Sequence, residues 1–161
     1  MAKTLTNFNI TFTDFPFDET WSAIVFFLGC EHNCNGCQNP ELQNENTIEL
    51  QTTDWQNDYE LFYYELRKFM DRNHTDKVVL TGGDPLYSLD FVKGFLSLAK
   101  DNISVCIYTG YDKEFCIQKG IVDFDYLKTG VYKKGSIPIG KLASHNQRLY
   151  DDKYTDITCL W

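Results

Sequence analysis

Ala23-Ile24-Val25-Phe26-Phe27-Leu28-Gly29-Cys30-Glu31-His32-Asn33-Cys34-Asn35-Gly36-Cys37 is the stretch from which the rest of the chain can be read. Its first six residues form an unbroken apolar run, the pattern of a buried strand. A glycine and then three cysteines at C-x3-C-x2-C spacing follow it. The thiols therefore sit on a loop just past a strand end, where open α/β sheets and barrels place their chemistry. Three thiolates on one such loop can hold three irons of a cuboidal four-iron cluster, which ordinarily takes four cysteines. One iron is then left open to a small molecule, much as a catalytic zinc keeps one open position. His32 within the loop leaves a Cys3His zinc site standing as a second reading.

Working outward, apolar strands and amphipathic helices alternate. Trp21 to Leu28 reads as a central strand, with a loosely alternating edge strand before it within Leu5–Phe15. Asp54 is placed to cap a helix running to about Met70, whose Tyr59, Phe62, Tyr63, Leu66 and Phe69 recur at three- and four-residue steps. Val78–Leu80 is a short buried strand and Leu89–Ala99 a second helix, interrupted by Gly94. Ile103–Tyr108 is a strand, Asp112–Lys119 a helix closed by Gly120, and Ile121–Leu127 a further strand. Asp123 and Asp125 then fall at strand spacing on one face. Tyr132 to Trp161 reads as loop.

This rhythm implies an α/β fold with a mostly parallel sheet and right-handed crossovers. A full eight-stranded barrel takes about 250 residues. The expected architecture is therefore an open, partial (β/α) barrel, a single domain over residues 1–161 with its core at about 10–150.

Fifteen Lys and Arg against 23 Asp and Glu leave a net charge of −8, with no basic run. Nucleic-acid binding draws much of its affinity from phosphate neutralisation, so it is not expected here. The first residues lack the apolar region of a signal peptide. The longest apolar run, Ala23–Leu28, falls far short of the roughly 20 residues that span a bilayer. The expected setting is cytoplasmic, without membrane contact, where clustered cysteines point to metal or redox chemistry rather than disulfides. Cys106 reads as a buried small apolar residue, and Cys116 and Cys159 have no partner spacing.

A second motif stands at the end of the next strand: Val78-Val79-Leu80-Thr81-Gly82-Gly83-Asp84-Pro85. Consecutive glycines let the backbone approach a ligand closely, and Asp84 adds a carboxylate able to receive an ammonium group. The two motifs together resemble the radical S-adenosylmethionine superfamily. Tyr108-Thr109-Gly110-Tyr111, Ser144-His145-Asn146-Gln147-Arg148-Leu149 and the short length make the chain similar, within it, to the activating proteins of anaerobic (class III) ribonucleoside-triphosphate reductases. There are departures from the family pattern. Gly36 and Gln38 stand where aromatic residues are usual, Asp84 where Glu is common, and Thr129 where an acid is expected before Gly130.

The resemblance implies a 4Fe-4S cluster on Cys30, Cys34 and Cys37, with no catalytic residue beyond these ligands. It implies S-adenosylmethionine on the fourth iron, with Gly82, Gly83 and Asp84 holding its ammonium group. Gly36, Gln38, Asn146 and Arg148 are further candidates for cofactor binding or closure. The implied reaction is reductive cleavage of S-adenosylmethionine and generation of a glycyl radical on the large reductase subunit, with a flavodoxin-like electron donor. A homodimer stays open as an assembly. So do a short radical enzyme acting on a small molecule and a zinc-stabilised binding module.

Overall fold

The structure is a computed structural model that describes residues 1–47 and 49–161. Its strands are β1 (Lys3–Leu5), β2 (Asn9–Phe12), β3 (Trp21–Phe27), β4 (Thr52–Asp54), β5 (Lys77–Gly82), β6 (Ser104–Tyr108), β7 (Tyr126–Thr129) and β8 (Arg148–Asp151). Its helices are α1 (Tyr59–Arg72), α2 (Leu89–Ala99) and α3 (Lys113–Gln118). Among the described residues the strands form one sheet in the order β4-β1-β3-β5-β6-β7-β8, with β2 also on β3.

The α/β expectation holds for the centre. There β3, β5, β6 and β7 run parallel and in sequence order, in register from Ala23↔Val78 to Tyr108↔Lys128. Each step to the next strand passes through a helix. The expectation of a mostly parallel sheet is corrected: β1, β2, β4 and β8 all pair antiparallel, so the sheet is mixed. The order is an open path ending at β4 and β8, and its pairings do not establish a barrel. No helix among the described residues is long and apolar enough to cross a membrane.

The alternation of side chains along each strand divides the sheet into two faces. Ala23, Val25, Phe27, Val78, Leu80, Val105, Ile107 and Leu127 point to the helices and join Phe62, Leu66, Phe91 and Phe95 in the main core. Phe62 lies at its centre, with ring centroids 5.1–6.1 Å from Phe27, Phe91 and Phe95. Gly94 permits the close meeting of α1 and α2: a Cβ there would lie 2.5 Å from the Tyr59 ring. The other face carries a small cluster of Phe15, Val79 and Cys106, with Ile24, Tyr108 and Tyr126 against it. The turn at Phe15 and Phe17 packs on Tyr126 and covers one end of that face.

Several boundaries differ from the sequence reading. The cap of α1 is Asp58, whose carboxylate accepts from Leu61 N at 2.9 Å. Asp54 instead ends β4, opposite Lys3. The last parallel strand begins at Tyr126 rather than Ile121, so Asp123 and Asp125 do not share a strand face. Asp123 adopts φ +64°, and Asp125 accepts from Val105 N at 2.7 Å. The segment after Tyr132 is not all loop, since β8 pairs with β7 from Tyr126↔Asp151 to Thr129↔Arg148.

Candidate functional site

A cleft of about 150 Å³ opens at the C-terminal ends of the parallel strands. Cys30, Cys34 and Cys37 line it, as do Gln38, Gly82 and Gly83. The cysteine loop is tied to the body by its backbone. Gly29 N donates to Leu42 O at 2.8 Å and Cys30 N to Gln43 O at 3.0 Å. The Gly82-Gly83 turn packs under the same loop: Gly83 N donates to Phe27 O at 2.8 Å, and Asp84 N to Gly29 O at 2.9 Å. Gly82 adopts φ +115°, and a Cβ on Gly83 would meet Gly29 O at 2.5 Å and Leu42 O at 2.6 Å. The two glycines therefore let the two loops touch backbone to backbone as well as opening a wall of the cleft.

Asp84 lies beneath the cleft rather than on its wall. It is 1% exposed, and donors surround its carboxylate. Oδ1 accepts from Leu86 N at 2.9 Å, and Oδ2 from Gly110 N at 2.8 Å. The Thr109 hydroxyl reaches both oxygens at 2.9 Å, and His32 Nε2 stands 2.8 Å from Oδ2. One carboxylate thus joins the cysteine loop to the turns after β5 and β6. The hydrogen bond to Asp84 holds the His32 pKa above its ordinary value, against the effect of burial. The His32 ring meets Tyr111 edge-on at 4.5 Å, and the Tyr111 hydroxyl donates to Glu31 at 2.6 Å.

The three cysteines are free and half-buried. Burial pushes the Cys30 thiol up to about 11; the charges of Asp84, Cys34 and Cys37 add to this, and a backbone hydrogen bond at His32 offsets part of it. Burial thus disfavours the Cys30 thiolate unless a bound cationic centre stabilises it. Among the described residues no three His, Cys, Asp or Glu groups converge to hold a single metal ion. That geometry does not favour the Cys3His zinc reading, and His32 turns Nε2 to Asp84. A cuboidal cluster spreads its thiolates over separate irons, so three free thiols around one cleft fit such a group. Cys106 and Cys116 are buried within the fold and Cys159 is exposed.

The other sequence candidates divide. Gly36 is exposed at φ +74°, beside the Lys134 side chain. Asn146 donates to Val131 O at 2.9 Å, while its Oδ1 is buried without a partner among the described residues. Arg148 donates to the backbone of His145 and Gln147 and stands 3.7 Å from Asp156. It is the intervening Gln147 that lines the cleft, its amide donating to Gly130 O at 3.0 Å. Thr109, Gly110 and Gly130 line it too, and the sequence reading did not place them there. A signal for them was available: the same Thr-Gly pair stands at or just past the ends of β5, β6 and β7, as Thr81-Gly82, Thr109-Gly110 and Thr129-Gly130.

A sheet with parallel central strands and a three-cysteine loop over their ends defines an iron–sulfur class of protein. Residues 20–136 match the family described as "4Fe-4S single cluster domain", and the chain belongs to it. Among curated proteins it is similar to the anaerobic ribonucleoside-triphosphate reductase-activating protein of Enterobacteria phage T4. The two are 29% identical over 138 residues, 81% of this chain and 83% of the phage protein. No solved structure gives a significant match.

Proposed function

We propose that the chain is an activating enzyme for an anaerobic ribonucleoside-triphosphate reductase, working as one domain over residues 1–161 in the cytoplasm. The observation that carries this is the meeting of three free, half-buried cysteines with the Gly82-Gly83 turn in one cleft at the strand ends. Similarity to the phage activating protein supports it.

In this reading Cys30, Cys34 and Cys37 hold a 4Fe-4S cluster through their thiolates, leaving one iron without a protein ligand. When bound, the cluster and S-adenosylmethionine would supply the one-electron reductive chemistry that generates a glycyl radical on the large reductase subunit. The electron comes from a flavodoxin-like donor. The chain's own share is to bind, orient and exclude competing reactions. Gly82 and Gly83 line the cleft, and a side chain on either would collide with the backbone at Phe27 or at Gly29 and Leu42, so glycine there keeps the turn packed under the cysteine loop. Gln38 and Gln147 line the cleft wall, Gln147 with its amide held between Ser144 N and Gly130 O. Asp84 acts from beneath: its saturated carboxylate places His32 and the Gly110 backbone rather than meeting the ligand.

Anaerobic purification and iron reconstitution, followed by electron paramagnetic resonance of the reduced protein, test the reading. The expected result is iron with acid-labile sulfide and a cluster signal that changes when S-adenosylmethionine is added. A glycyl radical on added reductase should follow. Zinc without sulfide, or a signal indifferent to S-adenosylmethionine, would return the chain to a metal-stabilised binding module.

A further inference from the structure

On the sheet face away from the helices a groove of about 700 Å³ runs beside the cysteine cleft. The two share Gln38, Thr81, Tyr108 and Lys128 on their walls, so they form one continuous depression. Lys128 lies at the junction, projecting from β7 with its ammonium 4.4 Å from the centre of the Tyr108 ring. Among the described residues that ammonium has no ion-pair or hydrogen-bond partner; the Tyr108 hydroxyl is already donated to Asp14 O. Burial lowers the Lys128 pKa, and Cys106 and Asp14 restore only part of it through space. A partly desolvated, unpaired cation is costly to keep unless something of opposite charge meets it.

Two further facts describe that partner. Lys141 also lines the groove, and Asp14 is the one acidic side chain among its described lining residues, in a chain whose net charge is −8. The side chains lining the groove thus carry a net charge opposite in sign to that of the whole chain. Trp161, on the same wall, has an indole N–H buried without an acceptor among the described residues. An unpaired ammonium on the wall of an open trough suits an extended polypeptide, which offers a carboxylate where an acidic residue falls.

We propose that this groove receives a polypeptide segment of the reductase, with an acidic side chain of that segment seated on the Lys128 ammonium. The proposal rests on the activating-enzyme reading. It adds the residue by which the protein substrate is recognised, on the wall that the groove shares with the cofactor cleft.

The test uses iron-loaded wild type, Lys128→Met and Lys128→Arg with the full-length large reductase subunit. Reductase binding is measured at low and physiological salt, and S-adenosylmethionine binding separately. Lys128→Met should weaken reductase binding by at least about tenfold and flatten its salt dependence. Lys128→Arg should stay near wild type, and in Lys128→Met S-adenosylmethionine affinity should fall far less than reductase binding. The melting temperature of Lys128→Met should be equal to or above that of wild type, because a desolvated charge is removed. Unchanged reductase binding in Lys128→Met overturns the proposal. So does a loss that falls on S-adenosylmethionine affinity instead, or a lowered melting temperature that accounts for the weaker binding. Wild type that fails to bind the reductase overturns this proposal together with the reading beneath it. Wild type that binds and forms the radical, beside an unaffected Lys128→Met, overturns the groove assignment alone.

Discussion

The two faces of the sheet are built from the same strands, one residue apart, and they serve opposite ends. On one face Val25, Phe27, Leu80 and Ile107 close against three helices. On the other, Ile24, Phe26, Thr81, Tyr108 and Lys128 border an open groove. The strand sequences are apolar enough to have supported cover on both sides. What differs is where the crossovers go: α1, α2 and α3 all stack on the first face, and the second has only the Phe15 turn and the C-terminal segment beside it. Stability is concentrated on the helix side, and chemistry is left to the strand ends and the open side.

The sharpest way to break this division is to alter the cysteine loop. Cys30→Ala, Cys34→Ala and Cys37→Ala should each abolish glycyl-radical formation and cluster iron, read by electron paramagnetic resonance and iron analysis. The melting temperature of the metal-free protein should hardly move, since none of the three belongs to the main core. A large thermal loss would show that the loop supports the fold. Phe62→Ala probes the other side and should cost about 3–5 kcal/mol in denaturant unfolding, because the ring is fully buried among aromatic neighbours. Asp84→Asn should cost less, about 1–3 kcal/mol. An amide cannot accept from Leu86 N, Gly110 N and Thr109 together while also facing His32. Faster backbone hydrogen exchange through the cysteine loop would locate that loss.

The smallest effect concerns the opposite ends of the strands. Asp125 is exposed as a residue, but its carboxyl turns inward to Val105 N. Burial of that group pushes its pKa up; the Val105 hydrogen bond pulls back, and Asp152 and Asp76 add to the rise. The folded state therefore binds the proton more tightly than the unfolded state. This contribution is present below the ordinary value of 3.8 and is lost as pH rises through the raised value. Asp125→Asn should flatten the melting temperature across that window and raise it slightly at neutral pH.

The parts legible in the sequence are those with strong local patterns. The apolar run at Ala23–Leu28, the cysteine spacing and the Gly82-Gly83 pair located the central strands and the cleft directly. The added antiparallel strands were not legible. β1 and β4 have three residues each, too few to show a period, and Thr52-Thr53-Asp54 is polar throughout. They are strands because Trp55 Nε1 and the β3 edge hold them, a tertiary cause. Asp58 was passed over as a cap because Asp54 offers the same side chain one turn earlier. The two-residue turn with Gln56 and Asn57 at positive φ decides between them. Asp84 was legible as a carboxylate beside the glycine turn but its surroundings were not, because sequence does not reveal that three elements bring it four donors.

That saturated carboxylate has a consequence for upkeep. The cysteine loop is held by Asp84, by Gly29 on Leu42 and by Cys30 on Gln43, and none of these contacts involves a thiol sulfur. The contacts that anchor it are therefore independent of whatever the thiols bind. An iron–sulfur centre in such a mount, once destroyed by oxygen, leaves an empty socket rather than an unfolded chain, and the same molecule can be refitted and returned to service.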